Sequence, residues 1–341
     1  MRTSRLLALG AAAALAVTLS ACSSSAPEST ASAGSNPGSD DAFPVTIEHV
    51  YGETTIDEKP ERVATIAWAN HEVPLALGIV PVGMSKATWG DDDDNGILPW
   101  VEEKLDELGG ETPVLFDETD GIDYEAVADT APDVILAAYS GLTEEEYDTL
   151  SKIAPVVAYP DVAWGTSVDD MVEMNAKALG LEDEGEALIE DLHADADAAL
   201  AANSALEGKK VIFAFFDPSD LSVITYYTAA DTRPGYLHDL GLPFPAIVEE
   251  NKDSEQFYLE VSAEEAQKFD DVDVLVTYGD DSTLAMLQAD PLLSKIPAIA
   301  EGRVAILPDA TPIAASANPS ALSIPWGLEE YLAILAGPLA K

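Results

Sequence analysis

Five positions in one short run, Asp91, Asp93, Asn95, Gly96 and Glu102, satisfy the spacing D-x-D-x-N-G-x5-E. In that pattern hard oxygen donors recur along a loop that can wrap a calcium ion. The surroundings favour a plain acidic surface loop. A strand and Trp89-Gly90 precede the run where a helix is required, and Pro99 stands where the exiting helix begins. Other chemical patterns fail. The chain contains no G-x-x-x-x-G-K phosphate loop and no G-x-G-x-x-G, which removes the common nucleotide sites. Tyr139-Ser140-Gly141 has part of a nucleophile elbow, but Ala138 replaces the first glycine. His49, His71, His193 and His238 show no metal-ligand spacing, and none neighbours a cysteine. The expectation is a protein that binds without catalysing, with no resident metal. A secreted α/β hydrolase stays as a remote alternative.

Aromatic and polar residues recur where strands are expected to end. Trp68, Lys86, Trp89, Tyr139, Ser140 and Trp164 do so in the first half of the chain, and Tyr226, Tyr227, Arg233 and Tyr278 in the second. Aromatic side chains offer large contact area at low entropic cost and suit a bulky ligand. These ten form the candidate ligand-binding set, led by Trp89, Trp164 and Arg233. Packing in the core or between lobes is the competing reading for each.

The elements that must position them alternate. Val63–Ala67, Val80-Pro81-Val82, Val114–Phe116, Val134–Ala138 and Val156–Tyr159 read as strands, with helical stretches at Asn70–Leu77, Tyr124–Thr130 and Thr143–Ile153. A long Ala/Glu/Asp/Leu segment, Glu182–Leu206, follows. Val211–Phe216, Val223–Thr225, Val274–Tyr278 and Val304–Leu307 form a second series of strands. The halves echo one another: Asp133-Val134-Ile135-Leu136 parallels Asp273-Val274-Leu275-Val276. The expected fold is α/β, with two Rossmann-like lobes, mainly parallel sheets, one long bridging helix and a ligand cleft between the lobes. The lobes span 43–181 and 207–341, with the helix at 182–206.

Arg2 and Arg5 precede an apolar run, Leu6–Thr18, of signal-peptide length. Leu19-Ser20-Ala21-Cys22 resembles a bacterial lipobox, and Cys22 is the only cysteine of the chain. A signal peptide over 1–21 and a lipidated Cys22 are therefore expected, with residues 22–42 as a polar tether. The lipid anchor would hold the body at the extracytoplasmic face of the cell membrane. Asp plus Glu total 63 against 16 Lys plus Arg, a formal charge of −47, which excludes a nucleic-acid partner. At 341 residues and 47% hydrophobic, the chain has enough apolar content for two packed lobes.

Thr54-Thr55-Ile56, Lys59-Pro60-Glu61-Arg62-Val63, Glu72 to Leu77-Gly78, Ala131-Pro132-Asp133-Val134-Ile135-Leu136, Thr232-Arg233-Pro234-Gly235 and Val261-Ser262-Ala263-Glu264 occur in that order. The chain thereby resembles the iron-siderophore substrate-binding proteins of ABC importers, in the cluster with vitamin B12 and haem receptors, over about residues 45–337. The resemblance implies two lobes bridged by a rigid helix, small hinge motions, and no enzymatic activity or cofactor. It also implies a small-molecule iron chelate as ligand, an ABC permease as partner and a monomeric receptor. One acid per lobe would meet permease arginines, and Glu72 and Glu264 match those positions.

Charge bears on the ligand. Past the signal peptide the only arginines are Arg62, Arg233 and Arg303. Lys86 and Arg233 are the only basic residues placed near the cleft. A trianionic ferric catecholate needs several cations, so a neutral or cationic ferric hydroxamate fits better. Haem, cobalamin or a bare metal ion are the alternatives within transport.

Overall fold

A computed structural model describes residues 42–340; the signal segment, Cys22 and the tether up to residue 41 lie outside the described residues. The body starts with a hairpin, β1 (Val45–His49) and β2 (Gly52–Ile56), paired antiparallel with Val45 opposite Ile56. Alternate residues of β1 are buried, as period-two alternation on a half-covered sheet demands.

The N-terminal lobe is built on β3 (Val63–Thr65), β4 (Gly83–Ser85), β5 (Val114–Phe116), β6 (Val134–Leu136) and β7 (Val156–Val157). All pairs are parallel, in the order β5-β4-β3-β6-β7. Every residue of β3 and β6 is buried, because helices cover both faces of such a sheet. The second strand starts at Gly83, just past the expected Val80-Pro81-Val82. Helix starts carry polar caps: Thr143 and Glu146 form a capping box for Glu144–Leu150, and Ser167 caps Val168–Ala178.

The C-terminal lobe holds β8 (Val211–Asp217), β9 (Asp220–Tyr227), β10 (Tyr258–Ser262), β11 (Val274–Gly279) and β12 (Val304–Pro308), in the order β10-β9-β8-β11-β12. This sheet is mixed, although parallel pairs predominate over the two five-stranded sheets together. The strands β8, β11 and β12 are parallel, whereas β9 runs antiparallel to β8 and β10. The cause is local: Pro218-Ser219 alone separates β8 from β9, and two residues can close a hairpin but cannot carry a crossover.

The echo between the halves is structural. The strand β6 lies beside β3 and β11 beside β8, each at the same place in its lobe. Asp133, just before β6, accepts the backbone N–H groups of Glu61 and Arg62 at 3.0 Å each, and Asp273, just before β11, accepts that of Lys210 at 3.0 Å. Each aspartate thus pins the entry of the neighbouring strand.

The long helix covers Glu182–Ala202, and Ser204–Leu206 adds a 3-10 turn. It packs against Val168–Ala178 on one side and Ser323–Ala336 on the other. Gly185, Leu192, Ala196 and Ala199 form its buried stripe. After β12 the chain returns to the first lobe. Ala315, Leu322 and Trp326 pack among Leu75, Met84, Ile97 and Trp100. No helix among the described residues is long and apolar enough to cross a membrane.

Candidate ligand-binding site

Parallel strands deliver their following loops to one edge, and a cavity of about 1060 Å³ opens there. The C-terminal lobe supplies most of the wall: Phe215 and Phe216 from β8, Tyr227 from β9, Arg233, Tyr278 from β11, and the loops ending at Ser282 and Asp309. Trp89 comes from the N-terminal lobe, and its ring meets the Tyr278 ring edge-on at 5.2 Å. Gly90 makes this approach possible. Its φ is +83°, and a Cβ there would lie 2.4 Å from the Ala315 Cβ.

Arg233 is the cation of the cavity. Asp231, 1% exposed at its side chain, accepts from Arg233 Nε at 2.8 Å and from Nη2 at 2.6 Å. The guanidinium lies 3.6 Å from the Tyr227 ring centre, and Nη1 reaches the Tyr278 hydroxyl at 3.4 Å. Burial works against its charge, but the Asp231 hydrogen bonds and charge more than offset this and keep it protonated. The Tyr278 hydroxyl is pushed up to about 12 by burial, so it stays a neutral donor. Asp231 also accepts the Arg233 backbone N–H at 2.9 Å as N-cap of the helix Thr232–Asp239. One carboxylate therefore sets both backbone and side chain of Arg233. The arrangement offers aromatic faces and fixed donors.

Trp89, Tyr227, Arg233 and Tyr278 of the candidate set share this cavity. The others lie elsewhere. Tyr226 is 3% exposed, stacks edge-on against Phe269 and accepts from Asn251 Nδ2 at 3.1 Å. Its expected place in the cleft is corrected: neighbours on a strand point to opposite faces, so Tyr226 and Tyr227 cannot share one. Tyr139 is buried in the seam between the lobes, where its hydroxyl meets Thr232 Oγ1 and Asn318 Nδ2 at 3.2 Å each. Ser140 is buried beside it and uses its carbonyl to accept the Trp164 N–H at 2.9 Å. Both are buried and neither borders the cavity described above. Trp164 is half-buried with its ring edge-on to Tyr139 at 5.5 Å. Gly141 leaves space for that indole; a Cβ would sit 2.2 Å from Nε1. Trp68 and Lys86 border a smaller hollow of the N-terminal lobe, and Lys86 reaches Asp117 at 3.4 Å.

Two residues outside the candidate set shape that lobe's rim. Asn70, fully buried, donates to the Ile66 and Tyr139 carbonyls at 2.8 and 2.9 Å and accepts the Tyr139 N–H at 3.0 Å, tying the loops after β3 and β6 together. Glu118 accepts the Ala67 N–H at 3.0 Å. Burial pushes its carboxyl up to about 7 despite that bond. An Asn and an acid at strand ends give no sequence signal of such bonds.

Glu72 is fully buried, which corrects its expected role as an exposed docking point. Its carboxylate accepts from Trp100 Nε1 at 2.8 Å and Leu322 N at 2.9 Å. Glu264 is exposed in the first turn of Ala263–Phe269, capped by Ser262. The exposed acid in the matching place of the other lobe is Glu125, in the first turn of Tyr124–Asp129. Each helix leads to the aspartate that opens β6 or β11.

The acidic run is a turn held by its own carboxylates. Asp91 accepts from Asp93 N and Gly96 N at 3.1 and 2.6 Å, Asp93 accepts from Asn95 N at 3.1 Å, and Asn95 accepts from Ile97 N at 2.7 Å. Pro99 begins the helix Pro99–Leu108 and does not block it, since a first helical residue needs no N–H partner. Glu102 lies in that first turn, where Asn95 Nδ2 approaches it at 3.4 Å.

Comparison with known proteins places the chain. The "Periplasmic binding protein" family model matches residues 63–311. The "Probable siderophore-binding lipoprotein YfiY" of Bacillus subtilis (strain 168) is 29% identical over 261 residues, 75% of this chain and 74% of its own length. The crystal structure of Streptococcus pneumoniae TIGR4 PiaA in complex with ferrichrome superposes with a TM-score of 0.84 at 51% identity, covering 87% of this chain and 99% of that one. A periplasmic solute binding protein from Mycobacterium smegmatis aligns with a TM-score of 0.70 at 25% identity, over 86% of this chain and 98% of that one. With two α/β lobes and an aromatic cavity at the strand ends, the chain belongs to the periplasmic binding protein family.

Proposed function

We propose that this protein is the extracytoplasmic receptor of an ABC importer, capturing a ferric siderophore of hydroxamate type and delivering it to the permease. The observation that carries the reading is the Trp89–Tyr278–Tyr227–Arg233 cavity, in a chain 51% identical to a ferrichrome-bound protein. Its volume, about 1060 Å³, suits a bulky chelate. The aromatic faces would pack the organic shell, and Arg233 and the Tyr278 hydroxyl would donate to hydroxamate oxygens. One guanidinium already paired with Asp231 is poorly matched to a trianionic catecholate.

Cys22 would carry the lipid anchor of a monomeric receptor, with the body divided into 43–181, the helix 182–206 and 207–341. Support comes from the lipobox and from a relative named as a lipoprotein. Glu125 and Glu264, exposed at matching places of the two lobes, would meet cations of the permease. The test is tryptophan fluorescence titration of the purified body with ferrichrome and with a ferric tris-catecholate. Saturable ferrichrome quenching supports the reading; binding of the catecholate alone overturns it.

A further inference from the structure

The cavity is acidic on one side. Asp280 and Asp281 follow β11, and Asp309 follows β12. These strands are paired neighbours, with Gly279 opposite Pro308 and the Asp309 N–H bonded to the Gly279 carbonyl at 3.1 Å. The three residues therefore lie at one edge of the sheet, and all three border the cavity. Asp280 is held by the Ser282 backbone and hydroxyl at 2.8 and 2.6 Å, which keeps it ionised. Asp281 and Asp309 are exposed at the rim. The one basic residue in the wall, Arg233, is already matched by Asp231. Lys86 borders a different hollow and faces Asp117. The wall thus holds an uncompensated negative edge beside apolar aromatic faces. The chain's charge of −47 adds to the same field.

A neutral chelate gains nothing from that edge, whereas one bearing a protonated amine gains a charge contact at the mouth. We propose that the cavity prefers ferric hydroxamate chelates with a cationic amine arm, received by the Asp281 and Asp309 carboxylates. This rests on the reading of the cavity as a hydroxamate site.

The probes are ferrioxamine B, whose free amine is protonated at neutral pH, and its N-acetyl derivative, which has the same iron centre without the charge. The readout is the ratio of their dissociation constants, with ferrichrome as a neutral reference. In the wild type the cationic chelate should bind about three- to ten-fold tighter at low salt, and the gap should narrow as salt is added. In the Asp281→Asn/Asp309→Asn variant the ratio should fall toward one, whatever the absolute affinities become. A wild-type ratio of one, or a ratio that survives in the variant, overturns the preference while ferrichrome binding leaves the receptor reading standing. Loss of all three ligands by the wild type overturns both.

Discussion

The Glu72 carboxylate, buried in the first helix of the N-terminal lobe, accepts the backbone N–H of Leu322 at 2.9 Å, 250 residues later in the chain. Leu322 precedes the helix Ser323–Ala336, whose first N–H is met by Ser320 Oγ at 3.3 Å, so Glu72 fixes the start of this helix from a position far away in the chain. The same carboxylate holds the Trp100 indole. Replacement by Ala leaves two buried N–H groups without acceptors and should cost about 3 kcal/mol of unfolding free energy. Glu72→Gln keeps an acceptor oxygen and should lose less. Urea denaturation of both variants checks this; equal losses would show that packing volume alone matters.

Glu118 links stability to pH. Its carboxyl rises from an ordinary 4.5 to about 7 in the fold, so the folded chain holds that proton more tightly than the unfolded chain. Its contribution is fully present below about 4.5 and is lost as pH climbs through about 7, on the order of 2 kcal/mol. Glu118→Gln cannot titrate. The stability difference between variant and wild type should therefore shift in the variant's favour between pH 4.5 and 8, as thermal melts across that range would reveal. Parallel pH profiles would contradict the linkage.

Adjacent tyrosines should separate folding from binding. Tyr226→Ala removes a core ring and should cost about 3 kcal/mol of stability. Tyr227→Ala removes the face beneath Arg233 and should weaken ferrichrome binding about ten-fold or more with a smaller stability loss. Melting temperature and fluorescence titration, run on both, distinguish them.

Asp231 should be structural before it is anything else. Asp231→Ala strands a buried guanidinium and should cost about 3–5 kcal/mol, whereas Asp231→Asn retains an acceptor and should be milder. Chemical denaturation gives the comparison.

Docking should depend on both lobes. Glu125→Lys with Glu264→Lys should abolish cellular uptake of a labelled ferric chelate and leave its dissociation constant unchanged. Normal uptake by this double variant would remove the two acids from the interface.

Much of this body was legible from local pattern. Buried parallel strands announce themselves as Val/Ile runs, and the Asp133 and Asp273 echo marked a real repeat. Trp89, Arg233 and Tyr278 follow or end elements at one edge of the lobes, whereas Tyr227, on the antiparallel β9, reaches the same cavity from the face of the sheet beside Phe213. Errors arose where period or distance decides. Tyr226 needed the strand pleat applied residue by residue. The short Pro218-Ser219 connection was the available sign of a hairpin after β8. Glu72 carries no local mark of burial, because its partner Leu322 arrives from the far end of the chain. Asn70 and Glu118 likewise bond to backbone atoms that only the tertiary fold brings near.

The return of residues 312–336 to the first lobe makes folding order a property of the whole chain. Until Leu322 and Trp326 have been synthesised, Glu72 and Trp100 lack the groups that cover them. The N-terminal lobe therefore cannot complete its core as an early, independent unit, even though all its strands precede residue 158. Contacts across 250 residues raise the contact order and slow the final collapse. Completion of the N-terminal lobe's core is thereby coupled to the arrival of Ala315, Leu322 and Trp326.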